Sequence, residues 1–528
     1  MCAVQASSPS QARSVATLFF FSGLNIIAAA AVELINMAYF GAGPHKDAYD
    51  TAYLIPNMLI YLFGLDLWKG LSTALFSRLS VNESEDRWRV FSSIVTIMLG
   101  IGSALCVACL FLAPWIVSVV APGYDEARMT LCAHLLRLNL PVILLLSLTG
   151  FFDSVLVAHH VYGWSSLSQV MLKVAQVLAV LGWARHFGIS VLPIGTLIGL
   201  SVALVAQTVM LRRNGIRYRP FYCDWKSPKL RVALRQIGPL FLSVVAAQLA
   251  LLCVQNVASR GVVGTVACLN YAGRLVGMVS QLVVQPLSTS YAPRIARLVE
   301  LRDIPAARDL TVRSVTWLTY STWTIALLVL LAAEPFLKVV QPFTTLKDEN
   351  IALMAFFVKI LALVGWFRGI GLLGIFFGLA KAASWRVFLV NFCDALALGT
   401  TVVALTALVG PRVALPTASL IGAAAGGVAG LIWLEGALGN VARVLARRVV
   451  SWVLVILASG LVVGLLDAHL VSLVPGNSPL VHVLAVVALV LIGVSSIGLA
   501  CNLPELGLAV ARAKSWLRRR TGRPVQAP

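Results

Sequence analysis

Eleven ionisable side chains fall inside long apolar runs: Lys69, Arg137, Lys173, Arg274, Lys359 and Arg368, with Glu33, Asp66, Asp153, Asp394 and Glu435. A charge at the centre of a membrane-spanning helix costs about 2.5–3.5 kcal/mol on insertion scales, so each of these implies a partner or an aqueous cavity. Four of the six cations lie in the first eight runs. A cavity lined by Lys69, Arg137, Lys173 and Arg274 suits an anion, and the planar fork of arginine suits phosphate oxygens. Arg274, Arg137 and Lys69 are the substrate-binding candidates; Lys173 ranks below them because it lies toward a cytoplasmic helix end. The competing reading is internal pairing, since Asp66 and Lys69 stand three apart on one helix and can satisfy each other.

Asn391 and Asp394, also three apart, share a face of the eleventh run. Two oxygen-bearing side chains there suit Na⁺ or a proton, because hard cations take oxygen ligands. A modest interhelical polar pair is the alternative. His159–His160 has no companions, and Cys106-x-x-Cys109 sits mid-run without a second pair, so no metal site is expected and the thiols read as small hydrophobes. No catalytic residues, cofactor or enzyme activity are expected. Coupling to Na⁺, to protons or to the membrane potential stays open.

The elements that position these residues follow from composition. The chain has 528 residues, 59% hydrophobic and only 12% charged, against roughly 25% charged in a soluble domain. Apolar runs of about 20 residues, enough to cross a hydrocarbon core of about 30 Å, recur from end to end. The fold class is all-α: a polytopic membrane protein with about 14 transmembrane helices. Spans are expected near 15–38, 47–76, 88–119, 129–158, 163–186, 189–211, 232–259, 264–292, 310–340, 350–380, 384–408, 412–437, 449–470 and 480–503. The first run is too long for a signal h-region, so it is read as a spanning helix.

Loop charge tests that map. The termini and even-numbered connections carry 28 Lys and Arg, and the odd-numbered connections carry 7. The positive-inside rule then puts both termini in the cytoplasm. The net charge of +20 flanks helices and is explained by anionic lipid, at about 1 kcal/mol per charge, so nucleic acid is not expected. The basic stretch around 212–231 separates an N-terminal six-helix lobe, 15–211, from a second, 232–437. An N-tail (1–14), two further helices (438–503) and a basic tail (504–528) complete the organisation. Two lobes of like orientation fit the parallel-repeat plan of many transporters.

Several stretches resemble the MviN/MurJ family, the lipid II flippases of the multidrug/oligosaccharidyl-lipid/polysaccharide exporter superfamily. Tyr39-Phe40-Gly41-Ala42-Gly43, Lys46-Asp47-Ala48-Tyr49 and Pro56-Asn57 resemble its FGAG…DAF…PN signature. Ala113-Pro114-Trp115 with Ala121-Pro122-Gly123 resembles the end of its third helix, and Gly238-Pro239, Gln248 and Asn256 its seventh. Tyr271-Ala272-Gly273-Arg274-Leu275 resembles its YADRL motif, and Ala292-Pro293-Arg294 the end of that helix. Order and spacing hold over about the first 300 residues.

The resemblance implies two six-helix lobes in a V, two C-terminal helices forming a lipid-facing groove, and alternating access that moves an undecaprenyl-diphosphate-linked saccharide outward. It carries over Asp47 and Arg274 as functional positions, which adds Asp47 to the substrate-binding candidates, with Arg137 where the family tends to be basic. This chain departs from the family at its first helix, where Phe21-Ser22-Gly23-Leu24-Asn25 stands in place of an arginine-rich pattern. It departs again at Ile60-Tyr61, at Gly64-Leu65-Asp66 and at Gly273. Either the pyrophosphate is gripped differently or the substrate is not lipid II.

The expected function is a flippase for a lipid-linked diphosphate saccharide in the bacterial inner membrane, with membrane lipids and cell-wall synthesis proteins as further partners. Lipid II is the default cargo and an exopolysaccharide or O-antigen repeat unit the alternative. A membrane polymerase or ligase needs catalytic residues on a sizeable outer loop, and the odd-numbered loops are short. A non-transporting scaffold would tolerate loss of the embedded charges, and a drug exporter would want an acidic cavity.

Overall fold

The computed structural model describes residues 9–62, 84–158, 162–213, 228–381, 383–439, 449–450, 453–458, 461 and 479–500. Among these residues, thirteen helices stand along the chain: α1 (Pro9–Phe40), α2 (Pro44–Leu62), α3 (Ser84–Val120), α4 (Glu126–Ala158), α5 (Tyr162–Phe187), α6 (Val191–Arg213), α7 (Pro228–Ser259), α8 (Thr265–Glu300), α9 (Ile304–Val340), α10 (Asp348–Ala380), α11 (Ser384–Val409), α12 (Pro411–Leu438) and α13 (Pro479–Ala500). They meet thirteen of the expected spans, and the described residues contain no strand. The remaining expected span, 449–470, falls mostly outside the described residues, as do Lys69 and the centre of the 212–231 linker.

Helix ends follow local rules. α2, α7, α12 and α13 each begin on proline, whose missing N–H costs nothing in a first turn. The α11–α12 connection is a single residue, Gly410 at φ +77°, followed at once by Pro411. A left-handed glycine ends one helix and a proline opens the next. Asp303 caps α9, its side chain accepting the Ala306 N–H at 3.1 Å.

The chain divides into two compact units. The first comprises Met1–Tyr271, Phe343–Asn350 and Ala395–Ala418, and the second Ala272–Pro342, Ile351–Asp394 and Ser419–Pro528. Lipid tails are as apolar as leucine, so helix association here relies on close packing and interhelical hydrogen bonds. In the first unit α6 presses on α5 through Gly195 and Gly199; a Cβ on Gly199 would stand 2.8 Å from the Leu172 side chain. Polar rungs flank that contact, with Gln176 donating to Thr196 at 2.9 Å and Gln207 donating to Asp153 at 2.7 Å. Phe91, Phe151 and Phe152 form a separate aromatic cluster, with Phe91 stacked on Phe151 and both tilted against Phe152.

The second unit is built on glycine-lined contacts between α10 and α12. A Cβ on Gly374 would lie 3.0 Å from the Gly430 Cα, and one on Gly427 would lie 2.9 Å from the Phe367 carbonyl oxygen. Thr311, Thr316, Thr319 and Thr322 of α9 each bond back to a carbonyl four residues earlier. This back-bonding lets a polar stripe be buried in an apolar setting. Thr319 also accepts the Trp366 indole N–H at 2.9 Å, tying α9 to α10. Leu327 of α9 shares a cluster with Val486, Val490 and Val494, which seats α13 against α9.

Candidate functional site

Four connections of the first unit converge on the start of α2. Asp47, in the first turn of that helix, accepts the backbone N–H of Gly264 at 2.6 Å and of Ala267 at 2.8 Å. Those amides open α8, whose first N–H groups have no partner within their own helix. A buried carboxylate aimed at a helix N-terminus satisfies the donors and meets the positive end of the dipole. Gly264 makes the contact geometrically possible. Its φ is +93°, and a Cβ there would come within 2.7 Å of the Ala42 carbonyl.

Around this cap the polar groups are matched donor to acceptor. Tyr124 donates to the Asp47 carbonyl at 3.0 Å, and Gln255 donates to the Thr51 hydroxyl at 2.6 Å. The Thr51–Tyr124 contact of 2.7 Å then has Thr51 as its donor. Burial pushes the Tyr124 phenol well above the usual tyrosine range, so it stays a donor. Tyr271 donates to the Gly41 carbonyl at 3.1 Å and Asn350 to the Ala42 carbonyl at 3.0 Å. Asn256 reaches the Val119 carbonyl at 3.1 Å. The Phe-Gly-Ala-Gly stretch and its surroundings are therefore a set of carbonyls held by distant side chains.

Lys46 and Asp50 form an ion pair of 2.5 Å, with both side chains fully buried. The ammonium also lies 4.8 Å from the Tyr271 ring centroid and 5.1 Å from that of Tyr49. Two tyrosine faces and a carboxylate substitute for water around the cation. From sequence, Lys46 is one of the seven Lys and Arg of the odd-numbered connections; the local signals of its burial are Asp50 four residues on and the neighbouring tyrosine.

The other candidates are dispersed. Arg274 is half-buried on α8, ten residues beyond the Gly264 amide that Asp47 caps and three beyond Tyr271. The boundary between the two units falls inside α8, between Tyr271 and Ala272, so Arg274 belongs to the second unit. Arg137 is exposed on α4, its Nε donating to the Leu110 carbonyl of α3 at 3.4 Å. Asn391 and Asp394 are half-buried on α11, and the Asp394 Cβ would stand 2.9 Å from a Cβ placed on Gly426 of α12. Lys69 lies outside the described residues.

Asp153 is internally satisfied, accepting from Gln207 at 2.7 Å, Gln169 at 3.2 Å and Ser168 at 3.3 Å. Among the described residues the cysteines are free thiols, and no group of three or more His, Cys, Asp or Glu gathers for a metal. What the arrangement offers chemically is hydrogen-bonded closure of one end of a helix set.

Comparison with known proteins gives a family match. The family model described as "Lipid II flippase MurJ" matches residues 37–316. A lipid II flippase MurJ of Burkholderia cenocepacia is 25% identical over 294 residues, covering 54% of this chain and 57% of that protein. A probable lipid II flippase MurJ of Rhizobium meliloti is 26% identical over 322 residues, 58% of each chain. The chain thus spans under two thirds of the length of these relatives. A solved structure titled as lipid II flippase MurJ in an inward closed conformation superposes with a TM-score of 0.72 at 18% identity, over 92% of this chain and 99% of that one. An inward-facing multidrug-resistance MATE-family transporter follows with a TM-score of 0.63 at 14% identity, over 79% of this chain and 96% of that one. At these identities the structural likeness shows a shared fold.

Proposed function

The chain belongs to the MurJ family of lipid II flippases, and from that premise we propose that it flips a polyprenyl-diphosphate-linked saccharide across the bacterial inner membrane. The diphosphate is gripped by cavity cations, the polyprenyl tail stays in the bilayer, and alternating access carries the head group outward. No covalent bond is made or broken. Lipid II is the default cargo.

One observation carries the reading most directly: Asp47 caps the helix that bears Arg274. A diphosphate-binding arginine must be held in register, and the cap fixes the N-terminal end of its helix to the Gly41–Asp47 segment. Release of this cap and of the hydrogen bonds around it would open that end of the first unit. Arg137 and Lys69 complete the substrate-binding set in this reading. Asn391 and Asp394 serve as the ion-coupling pair, for Na⁺ or a proton. The two lobes span 15–211 and 232–437, both termini face the cytoplasm, and cell-wall synthesis proteins are the natural partners.

The test is complementation of a strain depleted of its peptidoglycan flippase. The expected result is rescue by the full chain and loss of rescue by Arg274→Ala at normal abundance. A well-expressed protein that fails to rescue would remove lipid II as cargo, and an active Arg274→Ala variant would remove the diphosphate role of that residue. A second cargo, an exopolysaccharide or O-antigen repeat unit, is favoured by α1. Where the family has arginines, this helix carries none through the membrane; it carries Glu33 and Asn36, both buried. Rescue of a strain lacking its O-antigen flippase, with no rescue of the peptidoglycan one, would select that reading.

A further inference from the structure

Arg368 is an exposed arginine in the middle of a spanning helix. It stands twelve residues before the end of α10 at Ala380, while Asp394 stands ten residues after the start of α11 at Ser384. At 1.5 Å per residue the two lie about 18 Å and about 15 Å from the short connection that joins their helices. They therefore share one depth, well inside the hydrocarbon region. α12 brings them to the same level. Its Gly426 faces Asp394, and its next residue, Gly427, faces the Phe367 carbonyl immediately before Arg368. Any side chain at either glycine would hold one of the two helices away.

Arg368 and Asp394, set at one level by the Gly426 and Gly427 contacts of α12, make no ion pair within 4 Å. The arginine side chain is exposed while the adjacent Gly369 and Ile370 are buried. A guanidinium at this depth faces water or the bundle interior, because lipid exposure is too costly. Near a carboxylate but not closed on it, it is free to accept a second anion.

We propose that Arg368 is a further ligand for the diphosphate of the substrate, held in reserve by Asp394, so that carboxylate and diphosphate compete for one guanidinium. The inference rests on the diphosphate reading given above. Its consequence is reciprocal: as the substrate draws Arg368 away, Asp394 loses its counter-charge and becomes a better site for a cation. Arg274 and Arg368 both belong to the second unit, which would then carry two of the diphosphate ligands.

The experiment measures undecaprenyl diphosphate binding to the purified full chain in nanodiscs, for wild type, Asp394→Asn, Arg368→Gln, the double variant and Arg274→Ala. Asp394→Asn should tighten binding about fivefold or more by removing the competitor. Arg368→Gln should weaken it about tenfold. In the Arg368→Gln background, Asp394→Asn should have no effect. An effect of Asp394→Asn that persists without Arg368, or no effect in its presence, overturns the inference. If Arg368→Gln does not fold, Arg368→Lys stands in: charge without the bidentate fork should leave the Asp394→Asn response present but reduced, and an undiminished response counts against it. Wild-type binding that Arg274→Ala abolishes, with Asp394→Asn silent, sinks only the Arg368 inference. No binding by wild type sinks the diphosphate reading and this inference with it.

Discussion

At the scale of single residues, the Lys46–Asp50 pair makes a sharp energetic statement. Both side chains are fully buried, and removing one partner of such a pair leaves an uncompensated charge, costing about 3–5 kcal/mol. Replacing both with apolar residues of similar size is often neutral. Lys46→Met alone is therefore expected to lower the thermal unfolding midpoint of the purified protein markedly, and Lys46→Met with Asp50→Leu to recover most of it. A single variant as stable as wild type would mean that the pair is solvated. Asp47 differs, because its acceptors serve a backbone. Asp47→Ala strands two amides at the start of α8, a loss of about 0.5–2 kcal/mol for a cap. It should reduce complementation more than abundance, since Arg274 rides on the helix it frees. Equal loss of both would make Asp47 a folding residue only.

At the scale of elements, helix positions were legible because apolar length and alternating loop charge both report on a bilayer. The thirteen helices each overlap an expected span, although α8 ends at Glu300 rather than near 292 and α2 is described only to Leu62. The site was only partly legible. Asp47 and Arg274 stood out through motif resemblance, but nothing local announces that Asp47 caps a helix 217 residues away in sequence. Lys46 looked like a loop charge because one of its two tyrosine walls, Tyr271, comes from another helix. The grouping of segments into two units, with a boundary inside α8, is set by packing between distant residues and has no periodicity to betray it. Gly264 is the element-scale test. Its φ of +93° and its closeness to the Ala42 carbonyl forbid a side chain, and forcing one there costs about 1–3 kcal/mol. Gly264→Ala should reproduce the transport defect of Asp47→Ala, and the double variant should be no worse than either alone. Additive defects would show that the turn and the cap act separately.

At the scale of the whole molecule, the proposed outward flipping makes it matter which side of the membrane the Asp47 cluster faces. The bias of 28 Lys and Arg in the termini and even connections against 7 in the odd ones is a prediction of orientation, since translocating a basic loop is disfavoured. It puts the α1–α2, α3–α4, α7–α8 and α9–α10 connections outside. These are the connections that Asp47, Tyr124, Gly264 and Asn350 draw together. In intact cells a membrane-impermeant maleimide should label a cysteine placed at Lys347, and should reach one placed at Arg217 only after permeabilisation. Native thiols such as Cys132 and Cys268 are buried and add little background. The reverse labelling pattern would turn the Asp47 cluster to the cytoplasm. A cap on that side would close the bundle against the compartment where the lipid-linked precursor is made, and outward flipping as proposed would then have to begin by breaking it.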